Sequence, residues 1–277
     1  MVKISGFSDE ISQNTTEQFE ALNRLGVNYF EPRGIDGKNI SDLTSEEAKA
    51  LKAKADSYGI KTSSIGSPIG KIKTCDDFEA HFQRFKNTVE VAKIMDTPYI
   101  RMFSFYPVNG WDNAQKDEAF ARLDKMIGYA KENSVILLHE NEKGIYGDTG
   151  ERCLEIMQTF ACDNFRAVFD PANFIQCGED TLKCFDMLKD YIEYMHIKDA
   201  LKESGKVVPS GYGDGNVEYI VKTLMADGFD GFCSIEPHLG SFEGLKDLEL
   251  DDKMLSLPKG GEGTFALAYH TFAELVK

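Results

Sequence analysis

The six cysteines of this 277-residue chain never form a CxxC pair. Without that spacing a zinc-finger reading has no support, and a chain of this length needs no disulfide staples. Cys75, Cys153, Cys162, Cys177, Cys184 and Cys233 are therefore expected to be reduced and mainly structural. No run of eighteen apolar residues occurs, and the start, MVKISGFSDEIS, places no apolar segment behind a basic head. Neither membrane spanning nor export is indicated, which points to a cytoplasmic address. Positive charge is in deficit: Lys and Arg number 31 against 46 Asp and Glu, a formal net charge of −15. Tight binding to a nucleic-acid backbone draws on Lys and Arg, so no nucleic-acid partner is expected. No linker, low-complexity tract or shift in composition divides the chain, and the first strand-like run lacks the GxGxxG turn of a dinucleotide-binding fold.

What is present is a regular alternation. Eight strand-like runs can be picked out: VKISGFS, VNYFEPR, IKTSSIG, PYIRMFSF, VILLHEN, FRAVFDP, IEYMHIKD and GFCSIEP, with seven helical patterns between them. In DLTSEEAKALKAKADSYG, Thr44 and Glu47 have capping-box spacing, Ala48, Leu51, Ala55 and Tyr58 recur with helical period, and Gly59 stands where a C-terminal cap belongs. Phe78, Phe82, Phe85 and Val89 mark another helix, and Leu182, Phe185 and Leu188 a third. Strands alternating with helices imply right-handed crossovers and a parallel sheet. Eight units and a final helix, TFALAYHTFAELV, predict an α/β protein, a closed (β/α)8 TIM barrel, as a single domain over residues 1–277. The irregular stretch from about Leu239 to Gly263, rich in Gly, Asp, Glu and Lys, reads as a lid or an oligomer contact.

The C-terminal ends of barrel strands converge on one mouth, where catalytic groups collect. The fifth run ends in Glu140, the sixth in Asp170, the seventh in His196 and the eighth in Glu236. One carboxylate closing a strand is more often a helix cap or a solvated end. Three of them brought together repel one another unless a cation sits among them. With one imidazole they form an oxygen-rich shell for one divalent metal ion, suited to Mn²⁺, Mg²⁺ or Co²⁺ ahead of Zn²⁺.

On these residues, Glu140, Asp170 with the following DPAN, His196 in HIKD and Glu236 in SIEP, the chain resembles the xylose isomerase-like TIM barrels of the sugar-phosphate isomerase and epimerase superfamily. The resemblance covers nearly the whole chain, and the four positions are those at which enzymes like D-tagatose 3-epimerase carry their metal ligands. It implies a metal-dependent isomerase or epimerase acting on a sugar, sugar phosphate or sugar acid through a cis-enediolate. Glu140 and Glu236 would then be both ligands and the acid and base on opposite faces of the substrate. Family habit implies a homo-oligomer. Many relatives have Asp-x-x-His at the sixth strand, where DPAN puts Asn173; an amide orients substrate but does not carry a proton.

Arg33, Lys71, Arg101, Lys143 and Lys198 fall within or just after strand ends. Singly, each is better read as a solvated cation. Together they are expected to bind an anionic small-molecule carbohydrate, with some pairing instead to Glu31, Asp199 or Glu142. The run VVPSGYGDGN offers the amides of Gly211, Gly213 and Gly215 to a phosphate, or is a plain turn. Phe7, Phe103, Phe105, Tyr106 and Trp111 are expected to wall the pocket, with barrel core the stronger reading for Phe7 and Phe103. Strand alternation turns His139 away from the interior as a satisfied packing residue, His81 and His270 have no expected role, and His238 either lines the pocket or faces solvent.

Three rivals accompany this reading. A lyase resembling the inosose dehydratases would use the same chemistry and expel water. A hydrolase resembling endonuclease IV needs further histidines for three zinc ions, and strands three and four end in SIGSP and RMFSF. A sugar-binding barrel without chemistry should have lost a ligand. Xylose isomerase itself pairs its fifth-strand glutamate with a lysine two residues on, where this chain has Glu142.

Overall fold

A computed structural model of the chain describes residues 2–239 and 261–277. Eight parallel strands line one barrel: β1 (Lys3–Gly6), β2 (Tyr29–Phe30), β3 (Lys61–Thr62), β4 (Tyr99–Met102), β5 (Ile136–Glu140), β6 (Phe165–Phe169), β7 (Ile192–Ile197) and β8 (Phe232–Ile235). Six of them pair continuously in the order β1-β8-β7-β6-β5-β4, and β2 pairs with β3. Backbone bonds close the remaining seams: Glu31 N–H donates to Gly6 O (2.9 Å), while Ile65 N–H donates to Tyr99 O (2.9 Å) and Arg101 N–H to Ile65 O (3.0 Å).

The helices between strands start where the sequence supplies caps. Asn14 caps α1 (Thr15–Leu25), and Thr44 with Glu47 forms the expected capping box on α2 (Ser45–Ser57). Asp77, Asp112 and Thr149 cap α3 (Phe78–Ile94), α4 (Asn113–Glu132) and α5 (Gly150–Phe160). The crossover from β6 to β7 holds two helices, α6 (Pro171–Gln176) and α7 (Thr181–Leu188), and α8 (Val217–Ala226) precedes β8. On α7 the inward face is Thr181, Cys184, Phe185 and Leu188, so Phe185 and Leu188 of the expected stripe are buried and Leu182 is exposed.

Alternation along the strands separates two packed layers. Outward residues such as Leu137, Phe169 and Ile235 join the helices in the main core. Inward residues Leu138, Val168 and Tyr194 fill the barrel axis, packed against Tyr99, Ile136 and Phe232. Above them Ser5, Ser63 and the Tyr194 hydroxyl form a hydrogen-bonded layer (Ser5 Oγ to Ser63 Oγ 2.6 Å, Ser63 Oγ to Tyr194 Oη 2.8 Å). Two residues further along each strand the side chains are charged, which is where the candidate site lies. Burying Leu138, Val168 and Tyr194 fixes the register, because a slip of one residue would turn Glu140, Asp170 and His196 out among the helices.

The last helix, α9 (Gly261–Leu275), includes Gly261, Glu262 and Gly263, which the sequence pattern assigned to the irregular stretch. The proposed lid or oligomer contact therefore falls almost wholly on residues 240–260, outside the described residues. All six cysteines are free thiols, with Cys153, Cys184 and Cys233 buried.

Candidate metal centre

Glu140 is the last residue of β5, and Asp170, His196 and Glu236 stand at the C-terminal ends of β6, β7 and β8. Each is 3% exposed or less. Asp170 does two things at once: one carboxylate oxygen accepts from Asn173 N–H (2.9 Å) and caps α6, leaving Oδ2 to face the barrel axis. Asn141 ties the neighbouring strand ends together, accepting from Asp170 N–H and donating to Asp170 O (2.9 Å each).

One ligand-type atom from each of Glu140, Asp170, His196 and Glu236 lies within 4.8 Å of the others. Asp170 Oδ2 and both ring nitrogens of His196 are buried without a well-directed hydrogen bond. Buried polar atoms without directed hydrogen bonds are costly, and Asp170 Oδ2 and His196 Nδ1 both lie at the shared centre of the cluster. A divalent cation would be met by Asp170 Oδ2 and His196 Nδ1 together with Glu140 and Glu236, while His196 Nε2 faces Glu31, so the donor set fits one metal ion of the oxygen-preferring kind.

The electrostatics of the bare side chains make the same demand. His196 Nδ1 lies 2.9 Å from Glu140 Oε1, and Lys198 Nζ lies 2.9 Å from both Asp170 Oδ2 and Glu236 Oε2. Burial pulls the His196 pKa down, but Glu140 and Glu31 outweigh it and raise it to about 10. Burial also raises Asp170, to about 7, with Lys198 opposing and Glu140 and Glu236 adding to the rise. For Glu140, His196 and Arg101 overcome the burial penalty and hold the carboxyl well below its ordinary range. Glu236 is likewise depressed against burial, by Lys198, His238, His196 and Arg33. A proton on His196 and the Lys198 ammonium supply the positive charge that three clustered carboxylates require.

The five predicted cations divide. Arg101 donates to Glu140 Oε2 (2.8 Å) with its guanidinium 4.7 Å from the Phe103 ring and 5.3 Å from the Phe7 ring. Arg33 bonds Asp9 (2.8 Å), Glu10 (3.3 Å) and Glu236 (3.2 Å). Lys198 is inside the site, as above. Lys71 pairs with Glu142 (2.9 Å) on the rim, one of the alternatives the sequence offered. Lys143 is exposed, and among the described residues no ion pair holds it. Asn173 donates to Glu140 Oε1 (3.2 Å) and Asn141 O (2.9 Å), so it reaches the cluster from α6.

The glycine-rich run resolves as a turn. The amides of Gly211 (2.9 Å), Gly213 (3.1 Å) and Gly215 (2.8 Å) all donate to the Asp199 carboxylate. The cradle is filled by the chain's own anion, which corrects the phosphate-binding reading. Of the aromatic wall, Phe7 and Phe103 are buried against the site cations, whereas Phe105 turns away to Phe78 (6.2 Å) and Trp111 packs on Tyr146 (5.0 Å). His139 does point out of the barrel and is buried, yet its Nε2 has no hydrogen-bond partner, so it is packed but not satisfied. His238 does both things allowed for it: its side chain is 46% exposed and its Nε2 lies 3.5 Å from Glu236 Oε1.

The model of the xylose isomerase-like TIM barrel family matches residues 19–252. The chain belongs to that family. Among curated proteins, the inosose dehydratase of Mesomycoplasma hyopneumoniae strain 7448 is 23% identical over 190 residues, 64% of this chain and 62% of that protein. The chain thus matches less than two thirds of the length of these curated relatives. Among solved structures, an IOLI protein with a bound zinc atom superposes with TM-score 0.78 at 18% identity, covering 99% of this chain and 98% of that one. An L-ribulose 3-epimerase superposes with TM-score 0.72 at 17% identity, over 100% and 95% of the two chains. At these identities the structural likeness establishes the barrel.

Within this candidate site of the xylose isomerase-like barrel, sequence reasoning missed three contributors. Glu31, assigned only as a partner for a cation, is fully buried and accepts from the Tyr194 hydroxyl (2.9 Å), with the same oxygen 3.4 Å from His196 Nε2. The signal was available, because VNYFE also runs from an apolar strand into a carboxylate. Asp9 and Glu10, on a short 3₁₀ turn after β1, join through Arg33, and no local pattern marks them.

Proposed function

We propose that this chain, acting as one catalytic domain over residues 1–277, is a divalent-metal-dependent isomerase or epimerase of a small sugar-like ketone. The observation that carries the reading is the buried cluster of ligand-type atoms from Glu140, Asp170, His196 and Glu236, all within 4.8 Å of one another at the barrel mouth. Glu140, Asp170, His196 and Glu236 would hold the ion. When bound, a divalent ion acidifies the C–H beside a carbonyl and stabilises negative charge on its oxygen. Glu140 and Glu236 project from β5 and β8 and serve as acid and base, one taking the proton and the other returning it. Asn173 holds Glu140 by its side-chain amide, a positioning duty that suits a group unable to shuttle protons. Arg101 keeps Glu140 ionised, and Lys198 with Arg33 does the same for Glu236.

A second set of ligand-type groups, Glu10, Glu236 and His238, is crossed by Arg33, which bonds both glutamates. A guanidinium in that place opposes a second cation, which supports a one-metal centre over the hydrolase reading. The lyase reading is favoured by a different observation, the name of the curated relatives. It shares the proton-abstraction step and differs in losing a neighbouring hydroxyl.

Incubation of the Mn²⁺-loaded protein in D₂O with ketoses and an inosose, followed by NMR, tests the reading. Deuterium should appear beside the carbonyl, vanish on chelation, and fall by a factor of about 10² or more in Glu140→Gln and Glu236→Gln. A dehydrated product would select the lyase. Near-native exchange in either variant would sink the acid–base assignment.

A further inference from the structure

We propose that the Lys198 ammonium stands in for the metal ion whenever none is bound, holding the inward-facing oxygens of Asp170 and Glu236, and that it gives up Asp170 Oδ2 when a divalent ion enters. The inference rests on the reading above in one respect, that Glu140, Asp170, His196 and Glu236 form a metal centre.

The first observation is which oxygens an ion could use. Asp170 Oδ1 is spent on α6, where it accepts from Asn173 N–H (2.9 Å), so Asp170 can reach an ion only through Oδ2. Glu236 Oε1 is held by Arg33 (3.2 Å), and Oε2 is the oxygen that lies 4.0 Å from His196 Nδ1. Lys198 Nζ lies 2.9 Å from both of these inward oxygens, Asp170 Oδ2 and Glu236 Oε2. The ammonium therefore sits on the one ligand atom that Asp170 has to give.

The second observation separates Lys198 from the two arginines. Arg101 donates to Glu140 Oε2 and Arg33 to Glu236 Oε1, which leaves Glu140 Oε1, 2.9 Å from His196 Nδ1, and Glu236 Oε2 turned to the cluster. Both guanidiniums also lie over the Phe7 ring, at 5.3 Å for Arg101 and 4.8 Å for Arg33, so both can remain in place beside a bound ion. Lys198 carries a point charge on a flexible four-carbon stem and can swing. An ion on Asp170 Oδ2 would be one coordination bond and one ion-pair contact away from that ammonium, on a residue only 5% exposed, where water screens the repulsion little.

Charge balance gives the lysine its purpose. Three carboxylates meet in the centre, and two side chains divide them, the imidazole of His196 against Glu140 and the ammonium of Lys198 against Asp170 and Glu236. Buried carboxylates deprived of a partner are costly, so a barrel that can lose its ion needs a cation of its own in reserve. A lysine in that place keeps the fold intact without metal, and an incoming ion has to compete with it, which sets a threshold on metal affinity.

The test compares the full-length wild type with Lys198→Met, which keeps much of the stem and removes the charge. Calorimetric titration with Mn²⁺ should show the variant binding about tenfold or more tighter, because no ammonium has to be displaced. Its Tm should fall in chelator and return towards the wild-type value in excess Mn²⁺. A lysine that only braced the ligands would, on removal, loosen the ion, so weaker or unchanged Mn²⁺ affinity in a folded variant overturns the inference. If Lys198→Met does not fold, the wild type decides. A crystal structure of the Mn²⁺-loaded protein should place Lys198 Nζ more than about 4 Å from Asp170 Oδ2, and a contact kept at about 3 Å with the ion bound overturns the inference. An ion bound beside an unmoved Lys198 removes only the stand-in, whereas no divalent ion bound by either protein removes the metal centre and the stand-in with it.

Discussion

Glu31 is wholly buried; one carboxylate oxygen takes the Tyr194 hydroxyl and faces His196 Nε2, and the other has no partner. A histidine that coordinates through one ring nitrogen is ordinarily held by an acceptor at the other, which fixes its tautomer and raises its basicity. Tyr194 is in turn bonded to Ser63, and Ser63 to Ser5, so the orientation of His196 is anchored in the barrel axis. Replacing Glu31 by Gln should therefore weaken Mn²⁺ binding by about 10–100-fold, read by calorimetry, with metal-free thermal stability close to wild type. Unchanged affinity would reduce Glu31 to a packing residue. At this scale the sequence was informative about identity and poor about partnership. Glu140, Asp170, His196 and Glu236 could be named because each ends an apolar run. Arg33 could not be assigned to Glu236, 203 residues away, by any local rule.

The strand-to-helix junctions are where elements become function. β6 passes into α6 through Asp170, whose side chain caps the helix with one oxygen and faces the site with the other. β7 runs on through Lys198 to Asp199, which gathers the glycine turn before α8 begins. Asp199→Asn removes the charge that three amides share, and the loss should be about 1–3 kcal/mol. Differential scanning calorimetry should show Tm lowered by several degrees, with inorganic phosphate giving no rescue. Recovery of stability on adding phosphate would revive this loop as an anion site. The glycine spacing looked the same under either reading, because sequence spacing does not say whether an amide's acceptor is a ligand or a neighbouring side chain.

For the molecule as a whole, two buried histidines tie stability to pH. Burial lowers both His81 and His139 to about 4, and His81 Nε2 accepts from Gly70 N–H (2.8 Å) in its neutral form. Both folded-state values lie below the ordinary 6.5, so between pH 6.5 and 4 the unfolded chain binds more protons. Stability from these groups is complete above 6.5 and lost as the pH falls through that window. Urea midpoints of the chelated protein at about pH 7 and 5 should therefore differ less in His81→Gln, which keeps an acceptor for Gly70, than in the wild type. An equal difference would dismiss His81 as a contributor. Metal binding acts in the opposite sense. An ion that fills the site binds only the folded barrel, so excess Mn²⁺ should raise Tm in a concentration-dependent way that a chelator reverses. A Tm indifferent to Mn²⁺, Mg²⁺, Co²⁺ and Zn²⁺ alike would rule out the metal centre.

The sequence by itself determined the barrel and the four inward-facing ligand candidates. Strand alternation, capping residues and the abrupt passage from apolar run to charge are local patterns, and each is read within a few residues. Only the tertiary structure decided what those charges are paired with. Arg33 meets Glu236 and Glu31 meets His196 by closure of the barrel, and Asp199 meets the glycine amides by the folding back of the loop between β7 and α8. Whether a cation is free to bind an anion depends on which carboxylate the fold brings within about 3 Å, and charged groups spaced far apart in sequence carry no record of that distance.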